Sequence, residues 1–219
     1  MKSLEFNQIS KEAVESLQPS FHNLRETSHK DGKYRLRRYS VVELRTTFWN
    51  AKREVEISHL PSRNFTQSEE LNKFQGGMTR SFEDIEESVL YGGGMREACS
   101  LFKECNNLED GQEVEIHQMR IITLNEVTQV SPEGIHQDGF DHIAMLGIKR
   151  HNVVGGELLV YDSPESEPFM VYELGNGDMA MLDDTRFWHN AKPLLRASTS
   201  EEGGNPHGYI DLFVFCTKV

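Results

Sequence analysis

His136, Gln137 and Asp138 form the stretch of this sequence with the clearest chemical content. The imidazole and the carboxylate are two residues apart, so on an extended strand both leave the same face. They are then adjacent ligands for a divalent ion of borderline hardness, and Gly139 directly after them lets the chain turn close to that ion. A third ligand must come from elsewhere. His189, in the run Arg186-Phe187-Trp188-His189-Asn190-Ala191-Lys192-Pro193, is the natural candidate, because it lies on a later strand signal in the same half of the chain. Two histidines and one carboxylate on one face of an octahedron leave three positions open. That is the facial triad of non-haem Fe(II) sites that activate O2, whose open positions take a bidentate cosubstrate and O2. His142 and His151 are alternative ligands. His142 shares the side of His136 only if Gly139 leaves the register intact, and His151 falls in a Lys-Arg-His-Asn turn. His117 reads as a hydrogen-bonding residue facing a barrel interior. Asn190 and either Asp183 or Asp184 are placed to orient His189 through its second ring nitrogen, as metal-bound imidazole generally needs.

The elements that must position these groups are legible in the hydrophobic period. Residues 9–17 predict a short helix with Ser10 as N-cap, and Ile9 and Val14 around it have the spacing of a hydrophobic staple. Residues 33–45 predict a strand with a basic face. Residues 81–90 and 95–105 predict two helices, the first ended by Gly92-Gly93-Gly94. After residue 112 the period falls from about 3.6 to 2. Runs at 114–124, 142–149, 157–161, 169–174, 178–182, 187–191 and 209–217 are separated mostly by Gly, Pro, Asn or Asp, the signature of an antiparallel sandwich or barrel. The expected fold class is α+β: one domain over 1–219, with a helix-rich portion at 1–110 packed on jelly-roll strands at 111–219.

The 219 residues carry 23 Lys and Arg against 35 Asp and Glu, a formal charge of −12, which disfavours nucleic acid as a partner. No apolar run approaches a membrane span, and the N-terminus lacks a long apolar segment and carries acids. Three cysteines make neither a disulfide framework nor a Cys-ligated zinc site. A soluble, cytoplasmic protein acting on a small molecule is the expectation, with a homodimer left open as its assembly. The glycine runs at 76–77 and 92–94 are not followed by the Lys-Ser/Thr of a phosphate loop. Residues 198–205 read as a mobile loop placed to close over a substrate.

Several segments, taken in order, carry a resemblance. They are residues 34–40 (YRLRRYS), 76–82 (GGMTRSF), 117–120 (HQMR), 136–138 (HQD), 154–158 (VGGEL), 189–193 (HNAKP) and 208–215 (GYIDLFVF). With them the sequence resembles the 2-oxoglutarate/Fe(II)-dependent oxygenases, in the isoleucine 4-hydroxylase-like group that hydroxylates free amino acids. The resemblance covers about residue 34 to 219. It implies a double-stranded β-helix, Fe(II) held by His136, Asp138 and His189, 2-oxoglutarate as cosubstrate with O2, and hydroxylation of the side chain of a small amino acid. A non-catalytic binding protein on the same barrel is the competing class. The sequence departs from the pattern at Ile210, where relatives usually carry the arginine that grips the distal carboxylate of 2-oxoglutarate. Arg120 is the expected replacement and Arg196 the second candidate, because a buried carboxylate needs a cationic partner. Arg80 and Arg38, in matching segments, are the candidates for the substrate's own carboxylate, and Trp188 is expected beside the site or in the core.

Overall fold

The strand Tyr209–Thr217 buries Phe213 and Phe215 on one face and Ile210 and Cys216 on the other, so it must lie inside a sheet between two packed layers. The structure is a computed structural model that describes residues 4–49, 52–124, 127–197 and 207–219. In chain order it contains β1 (Leu4–Gln8), α1 (Lys11–Leu17), a 3-10 turn (Gln18–Asn23), β2 (Arg35–Trp49), β3 (Lys52–His59), α2 (Glu87–Leu90), α3 (Gly93–Cys105) and β4 (Gln112–Ile122). There follow β5 (Val127–Thr128), β6 (His142–His151), β7 (Val153–Gly155), β8 (Leu158–Tyr161), β9 (Met170–Tyr172), β10 (Asp178–Asp183), β11 (Trp188–Ala191), β12 (Leu194–Arg196) and β13 (Tyr209–Thr217).

Among the described residues, seven antiparallel strands form a large sheet in the order β1-β10-β6-β13-β4-β2-β3. Facing it is a small sheet, β11-β8-β9, which a bridge between His136 and His189 extends by one more segment. From β4 onward the chain visits large sheet, small sheet (at His136), large (β6), small (β8, β9), large (β10), small (β11) and large (β13). That alternation is the winding of a jelly roll. A third, short sheet, β5-β12-β7, lies at one end.

Two apolar layers hold the scaffold. Val14, Leu17, Phe21, Met95, Ala98, Cys99 and Phe102 pack on Val42, Ile116, Phe213 and Phe215 of the large sheet. Ile143, Leu158, Val160, Ala180, Leu182 and Phe187 fill the space between the sheets. Burying each large apolar side chain contributes roughly 1.5–3 kcal/mol, so the helix layer clamps one face of the large sheet and leaves the other to line a cavity. At Gly94 a Cβ would meet the Ala13 carbonyl at 2.6 Å, so α3 can approach α1 this closely only with glycine there.

Ser10 caps α1 as expected, its Oγ accepting from the Ala13 N–H at 3.1 Å, and Ile9 and Val14 share the core. Each strand run read after residue 112 has its strand. Residues 1–110, expected to be helix-rich, also supply β1, β2 and β3 of the large sheet. The helix expected over 81–90 shrinks to α2. Its first residues serve the open edge of β2 instead, where the Tyr39 N–H donates to the Glu83 carbonyl and the Ile85 N–H to Ser40 Oγ. The three-residue spacing of Phe82 and Ile85 therefore arises without a helix, tertiary pairing having overridden it. The loop expected at 198–205 lies outside the described residues. Among the described residues no helix is long and apolar enough to cross a membrane.

Candidate metal centre and its cavity

The structure brings His136, Asp138 and His189 together, one potential ligand atom of each lying within 4.8 Å of the others. Backbone pairing does most of this work. The His136 N–H donates to the His189 carbonyl at 3.0 Å and the His189 N–H to the His136 carbonyl at 2.9 Å, so two imidazoles leave one face of a single antiparallel pair. Asp138 follows two residues on, and at Gly139 the chain turns with φ +86°. Asp138 Oδ1 stands 3.6 Å from His136 Nε2 and Oδ2 stands 3.4 Å from His189 Nε2. His136 Nδ1 is 2.8 Å from the Gly134 carbonyl, which fixes it as the protonated nitrogen and leaves Nε2 as the donor atom toward a metal. The donor set of two neutral imidazole nitrogens and one carboxylate fits Fe(II), with one side left open.

Electrostatics agree with a site that a cation completes. Burial would raise the Asp138 carboxyl, but the two imidazoles against it hold it well below the usual carboxylate range. Burial would lower the His136 imidazole, yet the adjoining Asp138 carboxylate raises it to about 9. Gln67 Nε2 donates to Asp138 Oδ1 at 3.0 Å, while Gln67 Oε1 accepts from Asn72 and from Arg80 Nη2. Asp184 braces the centre twice. Its Oδ2 accepts from the backbone N–H of Gly139 and Phe140, and its Oδ1 faces His189 Nδ1 at 3.6 Å, neither of those last two atoms having a hydrogen-bond partner. Asp183, the alternative, accepts from Thr185 instead. Exchanging Asp184 for asparagine should weaken Fe(II) affinity roughly 10–100-fold, as loss of an orienting carboxylate commonly does. Titration of the metal-free protein checks this, and unchanged affinity would remove Asp184 from the site.

A family model described as 2OG-Fe dioxygenase matches residues 18–216. The chain belongs to the 2OG-Fe dioxygenase family. Solved structures with the same fold include a bsmA homolog from Methylobium petroleophilum PM1, at 24% identity and TM-score 0.74 over 94% of this chain and 81% of that one. IDO from Bacillus thuringiensis matches at 17% identity and TM-score 0.70, covering 98% and 91% of the two chains. The Fe(II)/(alpha)ketoglutarate-dependent dioxygenase TqaL matches at 15% identity and TM-score 0.63, covering 99% and 82%. No curated protein matches the sequence directly.

A 2OG-Fe dioxygenase uses Fe(II), 2-oxoglutarate and O2, so its cavity must also hold a dicarboxylate. Between the sheets lies a cavity of about 130 Å3, with the triad on its wall. Arg35, Arg37, Arg80, Lys149 and Arg150 line it. Arg120 does not. In β4 the residues facing the cavity are His117, Met119 and Ile121, so Arg120 points to the helix layer with Gln118. There it forms a two-pronged pair with Asp211, at 2.6 and 2.7 Å, and lies over the Tyr209 ring. Arg196 is exposed on β12 and also outside the cavity. Arg38 faces the helix layer too, bound to Glu86 at 2.7 Å, whereas Arg80 reaches the cavity as expected. His142 and His151 stay outside the metal cluster, His151 against Tyr209. His117 faces the cavity, stacked between Tyr39 and Phe65, with its Nδ1 lacking a hydrogen-bond partner. Trp188 is half-buried on β11, paired with Tyr161.

Several cavity residues escaped the sequence reading, Arg150, Arg37 and Glu133 among them. Ile210 does line the cavity, and opposite it across the β13–β6 pair stands Arg150. A register shift between Asp211 and Leu212 makes this possible. Ile143, Met145 and Gly147 of β6 face the cavity, and beyond the shift both Lys149 and Arg150 line it. Arg37 is buried on β2 beside Arg35, and the alternation of the strand separates both from Arg38.

Proposed function

We propose that the protein hydroxylates the side chain of a small free amino acid or a close derivative. In this reading His136, Asp138 and His189 hold the iron, Arg150 grips the distal carboxylate of 2-oxoglutarate in place of the missing arginine at 210, and Arg37 and Arg80 take the substrate's carboxylate. Together, bound Fe(II), 2-oxoglutarate and O2 supply oxidation of an unactivated C–H bond, with the cosubstrate leaving as succinate and CO2.

The observation that carries this reading is the pair Arg37 and Arg80. Both are buried on the cavity wall, and among the described residues neither has a carboxylate in ion-pair contact. The Arg80 guanidinium donates to Gln67 and lies 4.8 Å from the Phe65 ring centre, and that of Arg37 lies 5.2 Å from the Phe82 ring centre. Burial and the adjoining Arg35 push the Arg37 guanidinium down to about 9. A buried cation without a counter-ion costs several kcal/mol, which an arriving carboxylate offsets. A guanidinium also presents the fork that a carboxylate fits. Arg80 touches Gln67, which touches Asp138, so the carboxylate site is coupled to the metal ligand by two side-chain hydrogen bonds.

The test is substrate-dependent succinate formation across the proteinogenic amino acids and their common N-acyl derivatives. Leu, Ile, Val and Met should stimulate it most. Stimulation only by a peptide, a nucleoside or a lipid overturns the substrate class and leaves the metal site standing.

A further inference from the structure

Arg35 lies between two carboxylates, 3.1 Å from Asp31 and 3.6 Å from Glu133. One guanidinium is shared there between two carboxylates, the shorter contact going to Asp31. A short way along the same wall, Arg37 and Arg80 carry two positive charges without carboxylates. The Glu133 side chain is 8% exposed, and its Oε2 is buried with no hydrogen-bond partner. Its Oε1 stands 3.5 Å from His136 Nε2, the nitrogen that faces the metal position, so the carboxylate borders that position. Asp31, the closer partner of Arg35, is held ionised by Arg35 and Arg37 against its burial and does not line the cavity.

From this we infer that Glu133 holds the protonated amine of the substrate. The inference rests on the amino-acid reading above and sharpens it. The cavity offers a carboxylate for an ammonium and two guanidinium groups for a carboxylate, side by side and next to the metal centre. That is the charge pattern of a free α-amino acid, and an N-acyl derivative, which lacks the cation, fits it poorly. Glu133 Oε2, now only in ion-pair contact with Arg35 at 3.6 Å, gains a hydrogen bond by accepting from the ammonium.

The experiment is calorimetric titration of the anaerobic Fe(II)–2-oxoglutarate protein with L-leucine, L-isoleucine, L-valine and L-methionine, each set against its desamino acid and its N-acetyl derivative. A charge-assisted hydrogen bond of this kind gives the free amino acid a preference of roughly 10–100-fold. In Glu133→Gln that preference should shrink to within about 3-fold, while the visible band of the Fe(II)–2-oxoglutarate complex persists without added amino acid. If Glu133→Gln does not load iron, Glu133→Asp serves: it should weaken the amino acid and leave the desamino acid unchanged. Equal binding of amino and desamino acids to the wild type, or a preference undiminished in the variant, overturns the role of Glu133 alone. Binding of neither overturns the amino-acid reading with it.

Discussion

Changing His136 to alanine should abolish iron loading and, with it, all succinate formation. The expected loss exceeds the roughly 10–100-fold that a supporting residue costs, because a donor atom disappears rather than its orientation. The same change strips Asp138 of one of the two imidazoles that hold it ionised in a buried position. Anaerobic addition of Fe(II) and 2-oxoglutarate gives the readout: the weak visible charge-transfer band forms in the wild type and is missing in the variant. Survival of the band in His136→Ala would mean that another side chain completes the triad, and the assignment of His136, Asp138 and His189 would fall.

The second large effect separates two arginines. Arg150 is partly exposed and paired with Glu173 at 2.9 Å, a partner it would exchange for the cosubstrate, so Arg150→Ala should raise the apparent 2-oxoglutarate constant roughly 10–100-fold. Arg120→Ala should leave that constant nearly unchanged and lower the stability of the fold. Asp211, with its carboxylate fully buried, would lose the guanidinium that compensates it. Burial already pushes the Asp211 carboxyl upward, so without Arg120 it would take up a proton more readily still. Steady-state kinetics with varied 2-oxoglutarate, beside thermal melts of both variants, distinguish the two. The reverse pattern would return the anchor to Arg120.

His189 was found only from a later strand signal, whereas His136 and Asp138 were legible as a pair because their signal is short-range, a two-residue spacing on a strand fixing a shared face. The strands after residue 112 were legible for the same reason. The cations were harder, since in a strand a single residue decides the face. Arg37 and Arg38 are neighbours, yet one lines the cavity and the other binds Glu86 beneath the helices. For Arg120 the parity was available, because it lies three residues after the cavity-facing His117 and so on the opposite face. Arg150 was beyond reach, as its orientation depends on a register shift that no local pattern announces. Glu133 sits in a Ser-Pro-Glu-Gly turn, and its chemistry appears only once that turn is folded against Arg35.

The reciprocal backbone bond between His136 and His189 makes the centre a clasp as well as a reaction site. The two residues are far apart in the chain, and β11, which is joined there, is short, as is its other neighbour β8; alone they are weak against local opening. An ion shared by both imidazoles and Asp138 ties them together, as a cross-link closing a long loop does. Iron occupancy would then set how often this mouth of the barrel opens. Loss of iron should first loosen the small sheet at the cavity mouth, long before the large sheet and its helix layer give way.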